Sequence, residues 1–269
     1  MFNNNVSIIF DENPISRAYL NLLISKNYQI KNIIYLGDKN IFPKMINQYL
    51  KFHKNNYYAI RFLKKKNIDY FLSQVEEFFN FKKNFIREMY KFNNLNIFKV
   101  FYVKNNNINS EKLKNFITED NSDFFLNTGK QILKSILETR KKFIHIHPAY
   151  LPLIRGADGS LHSIAKYNQI ASTSFFINSD IDKGKIIFRT KKKFIKFKLK
   201  DKDDYNLREL YNLWFCFVDP LIRAEHLKTL FEIKEPDEEK IKVDEYQNSN
   251  YYTFMKDLEL EQVVKKIFL

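Results

Sequence analysis

The residues most able to do chemistry lie in one stretch, FIHIHPAYLPLIRGADG at residues 143–159, with SDIDKG following at residues 179–184. It holds His145 and His147, two of the five histidines, separated by one Ile. At the end of a strand, positions i and i+2 face the same side, so both imidazoles can enter one cleft. Pro148 denies a ladder its donor, which suits a strand end. Pro152 and Gly156 shape a loop beyond it, and Asp180 and Asp182 sit in a polar turn closed by Gly184. A His, a second polar group and an Asp converging in a cleft suffice for acid–base chemistry at an acyl carbon. A single His on a buried strand is more often a satisfied core residue. The second His, the Pro-bounded loop and the Asp turn together favour a site.

The elements that must position these groups alternate. VSIIF at residues 6–10 is a buried strand. Asn13-Pro14 starts a helix over residues 15–26, and residues 30–36 form a second strand closed by Gly37-Asp38. This βαβ opening predicts a parallel sheet. Residues 42–93 are expected to be mostly helical. Further strands are expected at 96–103, 123–127 and 143–147. Ser110 caps a helix through about residue 117, and 131–137 read as a short helix. A mostly parallel, doubly wound α/β sheet of Rossmann-like type accounts for this order. It places His145 and His147 at the carboxyl end of a strand, where open α/β sheets bind ligands.

Beyond residue 150, a helix is expected at 160–167, strands at 172–177 and 185–197, and a long helix at 204–231 kinked at Pro220. Residues 232–242 read as a charged linker and 251–269 as a final helical or mixed segment. The domain expectation is therefore a catalytic domain at 1–197, with a helical insertion at about 42–93. A mainly helical C-terminal region follows at 198–269, suited to an appendage or a homodimer surface.

Composition limits the function classes. The chain has 269 residues, 45% hydrophobic and 16% aromatic, enough for a sizeable core. One cysteine, Cys216, leaves no disulfide framework or Cys-based zinc site and fits a reducing compartment. No basic-then-apolar leader opens the sequence and no run approaches about 20 apolar residues, which points to a cytoplasmic protein with no membrane partner. The net charge of +14 is spread over many small Lys groups rather than one stripe, so it reads as a compositional habit. A basic field still attracts a small anionic substrate. Without a Gly-rich loop after the first strand, a dinucleotide enzyme is not indicated.

HIHPAYLPLIRG resembles the signature of N10-formyltetrahydrofolate-dependent formyltransferases, where Asn-x-His-Pro precedes a Leu-Pro loop and an Arg-Gly turn. DIDKG at residues 180–184 resembles the Asp-bearing loop of that family, and DFFLNTGKQILKSIL at 123–137 resembles the strand, turn and helix before the signature. The resemblance spans about residues 6–190, with specific motifs only at about 123–188. It implies a formyltransferase fold and transfer of a formyl group from N10-formyltetrahydrofolate, as co-substrate, to an amine. His147 then matches the catalytic His, and Asp182 the catalytic Asp that supports the proton path. Phe125, Asn127, Gly129, Asp180 and Gly184 would flank the folate. Arg155, Tyr150 and Asp158 are candidate contacts for the amine substrate.

His145 departs from the family, which has Asn there to polarise the formyl oxygen. Three readings stay open: His145 donates in place of Asn, the chemistry has moved to another one-carbon or acyl transfer, or activity is weak or absent. Two further classes also stay open. One is a metal-dependent hydrolase using His145, His147 and Asp182, although the favoured reading holds no metal; the other is a non-catalytic relative. A methionyl-tRNA acceptor would be accompanied by a β-rich basic C-terminal domain, which the pattern after residue 197 does not offer, so a nucleic-acid partner is not favoured. A purine-pathway enzyme would end near residue 210. A nucleotide-linked amino sugar is the expected acceptor, its diphosphate drawn by a basic cleft.

Overall fold

The computed structural model describes residues 5–37, 44–103, 107–233 and 249–268. In chain order the elements are β1 (Val6–Phe10), α1 (Pro14–Lys26), β2 (Ile33–Leu36), α2 (Lys44–Asn55), α3 (Tyr57–Phe62), α4 (Ile68–Phe78) and α5 (Phe85–Met89). Then come β3 (Val100–Val103), α6 (Glu111–Glu119), β4 (Phe124–Asn127), β5 (Lys142–His147), β6 (Ile154–Gly156) and α7 (Gly159–Tyr167). The chain continues with β7 (Gln169–Phe176), β8 (Ile186–Lys193), α8 (Leu207–Leu213), α9 (Asp219–Glu232), β9 (Asn250–Tyr252) and α10 (Asp257–Ile267).

A seven-stranded sheet runs in the order β3-β2-β1-β4-β5-β7-β8. The strands from β1 to β5 pair in parallel, whereas β7 and β8 are antiparallel additions at one edge. The fold is thus α/β, with helices flanking a mostly parallel sheet. Strand order reverses at β1, which lies between β2 and β4. At such a switch point the connections leave toward opposite faces and open a crevice at the strands' carboxyl ends. Asn127 and His147 close their strands there.

Local chemistry explains the boundaries. Asn13 caps α1 by accepting from Ile15 and Ser16 N–H groups at 2.9 and 3.0 Å. Ser110 caps α6 through the Leu113 N–H. The expected helix over 131–137 is instead a short 3-10 turn, Ser135–Thr139. Asn109 is the reason: its side chain binds the Ile132 carbonyl at 2.9 Å and the Lys134 N–H at 2.6 Å, removing both from helical pairing. β3 is shorter than expected, because Phe92–Ile97 winds into 3-10 turns first. β8 ends at Lys193 rather than at residue 197, since Phe194 and Phe197 turn into the core at 5% and 0% exposure.

The long helix expected over 204–231 is two helices joined by a π-helical turn, Trp214–Val218, immediately before Pro220. Pro220 follows this turn in an unbroken helical run; lacking an N–H it cannot donate to the preceding turn, and the Cys216 carbonyl there accepts from Tyr90 Oη at 2.6 Å instead. Of the expected linker, residues 234–242 lie outside the described residues.

The segment after residue 197 shares the main core. Phe71 meets Phe197 and Phe268 at ring-centroid distances of 5.9 and 5.8 Å, and the Phe197 N–H donates to the Ile267 carbonyl at 2.9 Å. Burying one such ring contributes about 1.5–3 kcal/mol. β9 pairs in parallel with β6 directly after the histidine strand. Of the C-terminal helices, α8 and α9 supply residues to the crevice lining. Among the described residues no helix is long and apolar enough to cross a membrane.

Candidate active site

A cavity of about 660 Å³ opens at the carboxyl ends of β1, β4 and β5. Its volume lies within the roughly 300–1,000 Å³ of small-molecule sites. His145, His147 and Asp182 all line it, so the structure brings together the three residues singled out for catalysis.

His147 is 3% exposed. Its Nε2 lies 3.0 Å from the Ile154 carbonyl oxygen, which only accepts, so Nε2 carries the proton and donates. Nδ1 is then the free base, and it faces Asp182 Oδ2 at 3.8 Å. Burial pushes the imidazole pKa down, opposed by the Asp182 charge and reinforced by Arg223. Asp182 is in turn held by the Gly156 N–H, which donates to Oδ2 at 2.8 Å. Gly156 has φ +94, and a Cβ there would stand 2.1 Å from the Tyr252 carbonyl oxygen. Only glycine lets β6 approach β9 while also aiming its N–H at Asp182.

His145 is half-buried and makes a different set of contacts. Its Nδ1 lies 3.3 Å from the Asn127 carbonyl oxygen, so that nitrogen donates. Nε2 is left as an acceptor facing Arg223 Nη1 at 3.5 Å. Burial, then the Arg223 charge, push its pKa down to about 4. Both nitrogens are engaged in ways that oppose metal ligation by the trio. Among the described residues no group of three His, Cys, Asp or Glu is arranged to hold a metal ion.

The other expected contacts divide. Asn127, Gly129 and Asp180 line the cavity, with the Asn127 side chain accepting the Gly129 N–H at 3.0 Å to fix the turn. Phe125 is not at the cavity: it is fully buried against Phe143 at 5.6 Å, on the side of the sheet core. Gly184 is also off the cavity wall, where a Cβ would lie 1.6 Å from the Phe176 carbonyl oxygen, so it serves the close pass of the Asp loop over β7. Asp158 lines the cavity and accepts from Tyr211 Oη at 3.0 Å and the Met255 N–H at 2.9 Å.

Tyr150 and Arg155 are not among the lining residues. Tyr150 packs under the Arg189 guanidinium at 5.0 Å, and Arg155 lies over the Tyr251 ring at 5.9 Å. His162 points to the C-terminal segment, with Nε2 donating to the Thr253 carbonyl at 3.1 Å.

The sequence reading missed the contribution of the C-terminal half. Arg208, Tyr211, Asp219, Arg223 and Phe254 all line the cavity. Asp219 and Arg223 stand one helical turn apart on α9, a spacing ordinarily read as a surface ion pair. Here Asp219 is fully buried and its Oδ2 accepts from Arg223 Nε at 2.9 Å. No signal in the sequence marks that pair as part of a site; only the fold brings α9 beneath β5.

No protein-family model matches the chain, and no curated protein matches it. Solved structures do resemble it. A sugar N-formyltransferase from Shewanella is 16% identical, with 96% of this chain and 86% of that chain covered and a TM-score of 0.48. Glycinamide ribonucleotide transformylase 1 from Symbiobacterium toebii is 11% identical over 84% of this chain and 86% of that one, TM-score 0.43. A formyltransferase from Anoxybacillus kamchatkensis, in complex with UDP-4,6-dideoxy-4-formamido-L-AltNAc and tetrahydrofolate, is 21% identical over 58% of this chain and 75% of that one, TM-score 0.35.

Proposed function

We propose that the chain transfers a formyl group from N10-formyltetrahydrofolate to the amine of a small anionic acceptor, a nucleotide-linked amino sugar. One observation carries this reading: a buried neutral His147 presents Nδ1 toward a backbone-anchored Asp182, in a switch-point cavity. The HIHP and DIDKG motifs that resemble the formyltransferase signature are the segments that supply this pair.

The cavity chemistry supports the donor. Its lining includes the turn at Asn127–Gly129 with Ile132, and Phe175 and Ile177. An apolar slot with a few polar groups suits a flat heteroaromatic ring. His147 Nδ1 accepts the proton that the amine releases as it attacks, and Asp182 stabilises the imidazolium so formed. The acceptor reading draws on Lys130 and Arg208, both at the cavity, whose charges suit a diphosphate. Tyr211 and Phe254 offer rings for a base or sugar face.

The test is incubation of the full chain with N10-formyltetrahydrofolate and a panel of UDP- and dTDP-linked 3- and 4-amino sugars, glycinamide ribonucleotide and methionyl-tRNA. Release of tetrahydrofolate with an amino sugar, and not with the others, is the expected result. Release with none of them removes the reading.

A further inference from the structure

The formyl oxygen gains negative charge as the amine attacks, and it needs a donor aimed at it. His145 is poorly placed to serve. Its one N–H is spent on the Asn127 carbonyl, and its Nε2 accepts from Arg223. A second N–H would require the imidazolium, which its burial and the neighbouring guanidinium oppose.

Arg223 has what His145 lacks. A guanidinium carries five N–H donors and stays charged at any working pH. Nε is tied to Asp219 at 2.9 Å, and Nη1 donates to the Ile146 carbonyl. Asp219 is itself fixed, because its Oδ1 accepts from Ser160 Oγ at 2.9 Å, and Ser160 Oγ accepts from the Trp214 indole N–H at 3.0 Å. Trp214 and Ser160 are both buried at 1% and 0% exposure. The guanidinium is therefore held along two edges by buried groups. Its Nη2 has no hydrogen-bond partner among the described residues, and the side chain lines the same cavity as His147. A donor fixed before the substrate arrives needs no reorganisation during the reaction, which is what makes such a group effective.

We propose that Arg223, rather than His145, stabilises the oxyanion that develops at the formyl carbon, an inference that rests on the formyl-transfer reading above. The amine lone pair forms the new C–N bond while the carbonyl π pair moves onto oxygen, where the Arg223 Nη2–H donates to it. The amine's proton passes through His147 to N10 of the folate. The C–N10 bond then breaks with its electron pair on N10, and the carbonyl re-forms. The products are a formamide and tetrahydrofolate, with nothing oxidised or reduced. His145 becomes a positioning residue that buttresses Nη1.

The experiment compares the unmodified chain, Arg223→Ala and Arg223→Lys, with N10-formyltetrahydrofolate and the amino-sugar panel. Arg223→Ala is expected to lower kcat about 10²–10³-fold, the loss typical of an oxyanion donor, with KM for the folate little changed. Millimolar guanidinium chloride, well below the denaturing range, should restore part of the kcat of Arg223→Ala. Arg223→Lys should lie between the two, since it keeps the charge without the fork. Should Arg223→Ala fail to fold, as its melting curve would show, the Arg223→Lys kcat carries the test alone.

A kcat for either folded variant equal to that of the unmodified chain overturns the proposal. So does a loss that neither guanidinium nor Lys relieves in folded protein, which would make Arg223 structural. An unmodified chain inactive with every acceptor overturns the formyl-transfer reading itself, and this proposal with it. Activity in the unmodified chain with an unaffected Arg223→Ala overturns this proposal alone.

Discussion

Asp182 reaches His147 by way of Gly156: the same Oδ2 that lies 3.8 Å from His147 Nδ1 accepts the Gly156 N–H at 2.8 Å. The backbone of β6, not a second side chain, therefore sets the distance between carboxylate and imidazole. Because β6 pairs, among the described residues, with β9 alone, the geometry at His147 depends on a strand from the far end of the chain. The His147–Asp182 pair and the C-terminal strand β9 are one structural unit.

His147→Ala and Asp182→Asn should both lower kcat of the proposed transfer by about 10²–10⁴-fold, the range for a positioned proton-transfer group. Because the two act as a unit, the double variant should lose little more than the worse single one. Turnover measured by tetrahydrofolate release decides it. Additive losses would separate the roles of the two residues.

The pH profile follows from the lowered pKa of His147. The working form is neutral, so kcat/KM should hold as pH falls through about 6.5, the ordinary His value, and decline only below it. Asp182 is the main group holding that pKa up against burial. Asp182→Asn should therefore move the acid limb to still lower pH while reducing the plateau. An acid limb that shifts upward in Asp182→Asn would contradict the assignment.

How much of this was legible in the sequence depends on whether a residue's partners are near it in the chain. The βαβ opening, the strand at His145 and His147 and the Asp turn follow from local pattern: β-branched runs, an Asn-Pro cap, Gly and Pro at turns. The roles within the site do not. His145 reads as a free donor until the Asn127 carbonyl and Arg223 are seen on either side of it. Arg223 reads as the partner of an i,i+4 Asp until α9 is placed under β5. Phe125 shares a face with Asn127, as strand residues two apart do, but it lies below the carboxyl end of β4, where it packs on Phe143 in the core instead of reaching the crevice.

The buried pair Glu12–Arg17 should be necessary for folding but replaceable. Arg17 Nε and Nη2 donate to the two Glu12 oxygens at 2.6 and 2.7 Å, and Asn56 adds a third bond at 3.0 Å. Both side chains are sealed from solvent. Arg17→Met alone leaves a buried carboxylate and should cost about 3–5 kcal/mol, whereas Arg17→Met with Glu12→Gln should recover much of it. Urea midpoints of the three proteins test this. Equal losses in single and double variants would mean that the charge itself is not the cost.

His226 should make the protein acid-labile. It is 1% exposed, with Nδ1 bonded to Ser172 Oγ at 2.8 Å and Thr190 Oγ1 at 3.1 Å, and its ring is stacked on Phe188 at 3.8 Å. Burial pushes its pKa down to about 3. Between that value and the unfolded value of about 6.5, the unfolded chain binds a proton that the folded chain does not. Stability therefore falls as pH drops through this window, by up to about 1.4 kcal/mol per pH unit from this group. His226→Gln keeps a neutral polar group for Ser172 and removes the titration. Its urea midpoint should be lower than that of the unmodified chain at pH 7, yet decline less between pH 6.5 and 4.5.

Gly156→Ala should damage both the site and the tail. The new Cβ would stand 2.1 Å from the Tyr252 carbonyl oxygen and 3.1 Å from the Tyr251 ring, at a φ that L residues rarely adopt. To relieve the contact β9 must move off β6, which also shifts the N–H that holds Asp182. Amide exchange at Asn250–Tyr252 should accelerate, and kcat of the proposed transfer should fall by about tenfold or more, since small misplacements of a catalytic group are costly. Tail exchange that rises without any change in kcat would show that Asp182 is held by something other than the β6 backbone, and would break the link between His147 geometry and the C-terminal strand.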